Sequence, residues 1–195
     1  MTTLADRFKI TDAERDQRMA FLHLGRDDFQ LLAGLRPLIT PHIPAVVDAF
    51  YVELLRHSEP RRFFINPKTL ERVKAGQRAY LAVLFAGEPD DAYIEQRLMI
   101  GEVHERIGVP LKWYIGAMGF FLHRLADALQ SEPSLDAGRR LAAVLALTKV
   151  MNLDLQLAME SYASLSLRMK TLDQRIRETA DALNSVLDKN GESHA

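Results

Sequence analysis

IGEVHERIGVPLKWYIGAMGFF, residues Ile100–Phe121, carries the one histidine whose place is not explained as surface. Side chains three and four positions apart share a helix face. Asp91–Arg106 reads as a helix with Glu95, Gln96, Glu102, Glu105 and Arg106 largely on one side, which sets His104 in line with Ile100 and Ile107 and beside Val103. Gly101 and Gly108 stand one turn to either side of it and carry no side chains, leaving room for a flat ligand that approaches edge-on. Neutral imidazole is the commonest protein metal ligand. The residues alone leave a second reading open, a core imidazole bonded to a backbone carbonyl, because a single histidine matches no motif with a metal-binding mechanism.

Downstream, Gly108 and Pro110 end this helix and start another, Leu111 to about Gln130, which holds the only tryptophan, Trp113, and Tyr114. Gly116 and Gly119 fall within one turn of it. Glycine inside a helix costs about 1 kcal/mol relative to alanine, so the pair suggests close approach by a helix or ligand. Ala137 opens a long helical stretch. From Ala158 its apolar residues step four-three: Ala158, Tyr162, Leu165, Met169, Leu172, Ile176, Thr179, Leu183, Val186. That pattern argues for a coiled coil. Such a seam needs a partner, most simply the same helix of a second chain in a homodimer; folding back onto its own domain is the other way to cover it.

Upstream, residues 1–10 read as a loose arm, and Thr11–Glu14 looks like a capping box in which Glu14 reaches back. The helix it opens runs to about Leu24, where Gly25 stops it. Phe29, Leu32, Leu35 and Leu38 keep a helical period to about Ile39. Pro41 and Pro44 suit the first turn of the next helix, whose apolar side is Val47, Phe50, Tyr51, Leu54 and Leu55. Tyr51 reads as a boundary tyrosine with a wet hydroxyl or as a donor into a pocket. Phe63 and Phe64 lie in a connection, covering a core edge or a cofactor. Asn66-Pro67 caps a helix to about Phe85, in which Gln77 interrupts an apolar stripe of Leu70, Val73, Leu81 and Leu84.

Composition narrows the function. The chain has 195 residues, 48% hydrophobic, enough for an ordinary core. With 25 basic and 26 acidic residues it has no electrostatic footprint for nucleic acid. It has no cysteine, which excludes disulfides, thiolate metal sites, iron–sulfur clusters and covalent c-type haem. A charged N-terminus and the lack of a long apolar run point to no signal peptide, no membrane partner and a cytoplasmic protein. No strand-like alternation, phosphate-binding glycine loop or Ser/His/Asp arrangement is found.

The run IGEVHERIGVPLKWYIGAM resembles the signature of the globin-coupled sensors, bacterial haem-based gas sensors, and the AFYVELL segment is similar to the same family. The likeness covers roughly Leu24 to Leu167. It implies an all-α globin fold with an extra N-terminal helix and a long C-terminal helix extending into a coiled coil. The expected division is a flexible arm at 1–10, a sensor globin domain at 11–167 and a coiled-coil tail at 168–195. It also implies non-covalent haem b, with His104 as proximal iron ligand and Tyr114 beside it on the following helix. Tyr51 corresponds to the distal tyrosine that donates to bound O2. Val73 and Gln77 lie over the distal face, and Phe63, Ile100, Val103, Ile107 and Trp113 complete the pocket. Where some members carry a distal hydroxyl residue, Gly76 is bare. Bound O2 carries partial negative charge and CO much less, so a phenol donor favours O2 over CO and is one of the protein's levers on haem.

The function this implies is a haem-based O2 sensor, not itself an enzyme, that also binds CO and NO. It would signal as a homodimer through its C-terminal helix to an output domain or partner. Family members usually carry a cyclic-dinucleotide synthase, a kinase or a chemotaxis transducer after the globin; after Val186 this sequence has only a short polar end. A globin-type enzyme acting on the same haem, such as an NO dioxygenase, and a haem-free helical interaction domain are the alternatives.

Overall fold

The computed structural model describes residues 2–192, and the side chains of 2–162 and 171–180. Among the described residues every regular element is helical: α1 Leu4–Phe8, α2 Asp12–Phe21, α3 Arg26–Ile39, α4 Ile43–Leu54, α5 Ser58–Arg61, α6 Pro67–Val83, α7 Asp91–Arg106, α8 Leu111–Gln130 and α9 Ala137–Glu192. Single 3-10 turns at Thr40–His42 and Arg62–Phe64 join neighbours. Helix α9 is the spine. Its residues Ala143, Ala146, Leu147, Val150, Leu153, Leu157 and Ala158 are buried, and α3, α7 and α8 pack on it. On the other side α4 packs on α6 and α8. The segment Ala137–Tyr162 is long and apolar enough to cross a membrane, but half of that window lies inside the protein, as a core helix does.

The N-terminus corrects the expectation of a loose arm. Thr3 and Asp6 form a capping box that starts α1. The free N–H groups of Leu4 and Ala5 then donate to Glu95 of α7, at 3.0 and 2.7 Å. Arg7 pairs with Glu102, and Ile10 is buried. A carboxylate at a helix N-terminus satisfies orphan donors and meets the positive end of the helix dipole. At α2 only half of the expected capping box forms. Thr11 accepts from the Glu14 N–H at 3.2 Å, while the Glu14 carboxylate takes Arg18 at 2.9 Å. Gly25 does not stop α2: His23, at φ +50°, makes the left-handed turn after Phe21, and Gly25 is the extended N-cap of α3.

Helices α7 and α9 meet so closely at Gly101 that a Cβ there would overlap the Ala158 carbonyl oxygen and the Ser161 hydroxyl. The bare side of Gly101 is therefore filled by α9, not kept clear for a ligand. Gly108, at φ +73°, serves the backbone too. It is the left-handed residue ending α7, and Val109 N–H donates across it to the His104 carbonyl at 3.0 Å, the six-to-one bond of a Schellman cap. Around Gly116 and Gly119 the single chain leaves open space, so the close approach expected there is not made within it.

The first positions of the expected coiled-coil seam belong to the domain instead. Ala158 is fully buried in the domain core, and the Tyr162 hydroxyl bonds to the Val109 carbonyl. Leu172 and Ile176, at 56% and 59% exposure, stand bare on the single chain, as does Thr179. Leu165, Met169, Leu183 and Val186 lie outside the described side chains.

Candidate functional site

His104 is half-buried near the C-terminal end of α7, and its Nδ1 is 2.8 Å from the Ile100 carbonyl oxygen. A carbonyl only accepts, so the proton of this bond is on Nδ1. The neutral ring then carries its lone pair on Nε2. Burial pushes the imidazole below its ordinary pKa, which favours that neutral form. The bond is what a core histidine would make. It is also what orients a ligating histidine, whose other nitrogen is normally held by a carbonyl or carboxylate. The Tyr114 ring meets His104 edge-on at 5.0 Å, and Tyr114 itself is buried.

Tyr51 lies on the inner side of α4 at 5% exposure. Phe50 and Phe64 contact its ring edge-on at 5.0 and 5.5 Å. Burial pushes its phenol up to about 12. Among the described residues its hydroxyl has no hydrogen-bond partner. The residue is buried as a whole, but its hydroxyl is not one of the sealed-off unpartnered polar atoms, which are Arg78 Nε, Arg97 Nη2 and Arg140 Nε among the described residues, so it still reaches open space.

The other expected pocket residues divide. Val73 and Gln77, four apart on α6, are half-buried, as are Ile100 and Val103 on α7. Ile107 lies past the end of α7 and is half exposed, so it does not continue the His104 face. Phe63 packs on the Arg62 guanidinium at 4.9 Å; its neighbour Phe64 is the one that reaches Tyr51. In the 3-10 turn adjacent side chains diverge, and no sequence period tells which turns inward. Trp113 is committed elsewhere: its indole N–H donates to Glu59 at 2.7 Å and its ring lies 4.8 Å from His57. With the Lys112–Glu59 pair at 2.6 Å, it fastens the start of α8 to α5.

A buried polar cluster that sequence reading missed joins α6, α7 and α9. Arg97 and Asp154, each at 1% exposure, form an ion pair at 2.8 Å. Tyr93 donates to the second Asp154 oxygen. The Arg97 guanidinium sits over the Tyr93 and Tyr80 rings at 4.0 and 4.4 Å. Burial pushes the Asp154 carboxyl up against the pull of Arg97. Arg97 Nη2 is buried with no partner. The available signal was an arginine and an aspartate on otherwise apolar helix faces.

Among the described residues no three His, Cys, Asp or Glu side chains could share a bare metal ion. One imidazole is a poor site for a free ion, but it suffices for iron that arrives with a porphyrin's four nitrogens. The donor set therefore fits haem: a single oriented imidazole, half-buried apolar neighbours and a buried phenol lacking an acceptor.

Comparisons with known proteins agree with this chemistry. The family model described as Protoglobin matches residues 11–167. The heme-based aerotactic transducer HemAT of Halobacterium salinarum is 33% identical over 168 residues, covering 82% of this chain and 34% of that protein. The chain thus spans about a third of that relative's length. The globin domain of a Geobacter sulfurreducens globin-coupled sensor superposes with a TM-score of 0.70 at 26% identity, over 75% of this chain and 96% of that one. The ferric globin domain of E. coli DosC, at TM-score 0.62 and 17% identity over 78% and 99% of the two chains, has the same fold. The chain has the globin fold, is a homologue of the globin-coupled sensors, and belongs to the protoglobin family.

Proposed function

We propose that this chain is a haem-based O2-sensing domain that passes its ligation state through a dimeric C-terminal helix to an output domain or partner in the cytoplasm. Haem b supplies reversible binding of a diatomic gas, O2 foremost and also CO and NO. His104 would hold the iron through Nε2, with Nδ1 fixed by the Ile100 carbonyl. Tyr51 would donate to the gas from the distal side, with Phe64 and Phe50 holding its ring in place. Val73 and Gln77 would line that side. The carrying observation is the imidazole of His104 held through Nδ1 with Nε2 left free, and the Tyr51 hydroxyl, which no described residue satisfies, is consistent with it. The relative named as a heme-based aerotactic transducer supports sensing over catalysis. For any signal to pass, the gas must bind two arrangements of the protein with different affinity.

The test is the absorption spectrum of the ferrous protein with and without O2, repeated for His104→Ala. A strong haem band that moves with O2 and is lost or displaced in His104→Ala is expected. A colourless protein, or one whose band ignores that substitution, overturns the reading. Steady NO consumption with an added reductase would instead mark a globin-type enzyme.

A further inference from the structure

Two contacts on α7 and a third on the turn after it tie this region to α9, and His104 lies between the second and the third. The first is the buried Arg97–Asp154 pair. The second is the crossing at Gly101, where the backbone of α7 rests directly on the Ala158 carbonyl and the Ser161 hydroxyl. The third lies beyond the end of α7, where the Tyr162 hydroxyl donates to the Val109 carbonyl. The Val109 N–H in turn donates to the main-chain carbonyl of His104 at 3.0 Å. A path thus runs from the backbone of His104, through the single residue Val109, to a side chain of α9.

The side-chain contacts repeat this path. The Tyr114 ring stands 5.0 Å from His104, and the Tyr162 ring stands 6.3 Å from Tyr114. Of the three fixings, the first two hold the rigid body of α7. A buried ion pair and a backbone-to-backbone crossing have little room to give. The turn Ile107–Pro110 lies beyond both, and among the described residues Tyr162 is the side chain of α9 that hydrogen-bonds to it.

We propose that Tyr162 is a positioning residue for His104: its hydroxyl on Val109 holds the turn that caps the ligand-bearing end of α7, and it is where a displacement of His104 enters the distal half of α9. This rests on the haem-sensor reading for the identity of the ligand, but not for the hydrogen bond itself. With the latch made, His104 moves only together with α9. With it broken, the imidazole moves alone and α9 stays behind.

Tyr162→Phe keeps the ring and removes only the donor. In the haem-loaded chain, amide exchange at Val109 is expected to rise about fivefold or more, the effect of losing one hydrogen bond. Amides of α4, remote from the latch, should stay unchanged. In the ferrous gas-free protein the iron–histidine stretching band is expected to shift, which a purely structural role for Tyr162 would not produce. Unaltered exchange at Val109 overturns the latch. Altered exchange with an unmoved band overturns the positioning of His104. A colourless protein overturns the ligand role along with the function proposed above, while exchange at Val109 still decides whether the hydroxyl holds the turn. Should the variant not fold, the unmodified protein gives the same decision: Val109 exchange is expected to change with CO binding, and equal rates with and without CO overturn the proposal.

Discussion

At the scale of single residues, the gas-binding proposal turns on Tyr51. Its ring is buried and its hydroxyl has no acceptor among the described residues, so a polar ligand gains a hydrogen bond there that no protein group gives up. Hydrogen bonds to charged acceptors contribute about 1.5–3 kcal/mol. Tyr51→Phe should therefore speed O2 dissociation about tenfold to a hundredfold in flash-photolysis or stopped-flow measurements, and change CO release far less. Equal effects on the two gases would mean that Tyr51 shapes the pocket without donating. The same burial sets a pH expectation. A phenol donates only while protonated, and with its pKa pushed up to about 12 it stays protonated through the mildly alkaline range. O2 dissociation should accordingly be flat from about pH 7 to about pH 10, where an ordinary tyrosine already titrates. His104 and Tyr51 stand out in the sequence as polar groups on apolar helical stripes, but that pattern equally fits a core imidazole and a boundary tyrosine, and the roles expected of them come from the family resemblance. Phe64 was not told from Phe63, since a 3-10 turn offers no period to read.

At the scale of elements, the junction of α7 with α9 matters most. Removing one partner of a buried ion pair leaves an uncompensated charge and costs about 3–5 kcal/mol. Asp154→Asn should lose stability of that order in chemical denaturation. Replacing both Arg97 and Asp154 by apolar residues should cost less than the two single changes added. Additive losses would show that the pair is not coupled. Gly101→Ala tests the crossing beside it. An added methyl overlaps the Ala158 carbonyl and the Ser161 hydroxyl, so the helices must separate, at a cost of about 1–3 kcal/mol typical of overpacking. A neutral outcome in denaturation would mean that the crossing is loose. The helices themselves were largely readable from their periods, caps and prolines. What joins them was not. The α1–Glu95 contact spans about ninety positions, and nothing local to Leu4 or Ala5 announces it. Gly101 looked like room for a ligand because sequence shows a missing side chain but not which neighbour fills the gap.

At the scale of the whole molecule, α9 carries apolar surface that the single chain does not bury. Leu172 and Ile176, one turn apart, are more than half exposed, and so are Leu141 and Leu145 near the start of the helix. Isolated helices are marginal in water and gain most of their stability from packing an apolar face, so a bare stripe on the distal part of α9 calls for a partner. Charged neighbours stay solvated on the same stretch: Arg177 pairs with Asp173 at 2.6 Å, and Gln174 bonds Glu178 at 2.9 Å. The proposed two-stranded seam would need such polar flanks. If the distal stripe joins two copies, Ile176→Asp places a charge in the seam. It should shift the proposed dimer toward monomer in sedimentation and leave the haem spectrum untouched, because Ile176 is exposed on the single chain. Leu141→Glu separates this from the other candidate face. A chain whose self-association survives Ile176→Asp and is lost in Leu141→Glu pairs through the start of α9 beside its core. In that arrangement a movement of His104 would reach the partner subunit without travelling down the distal helix.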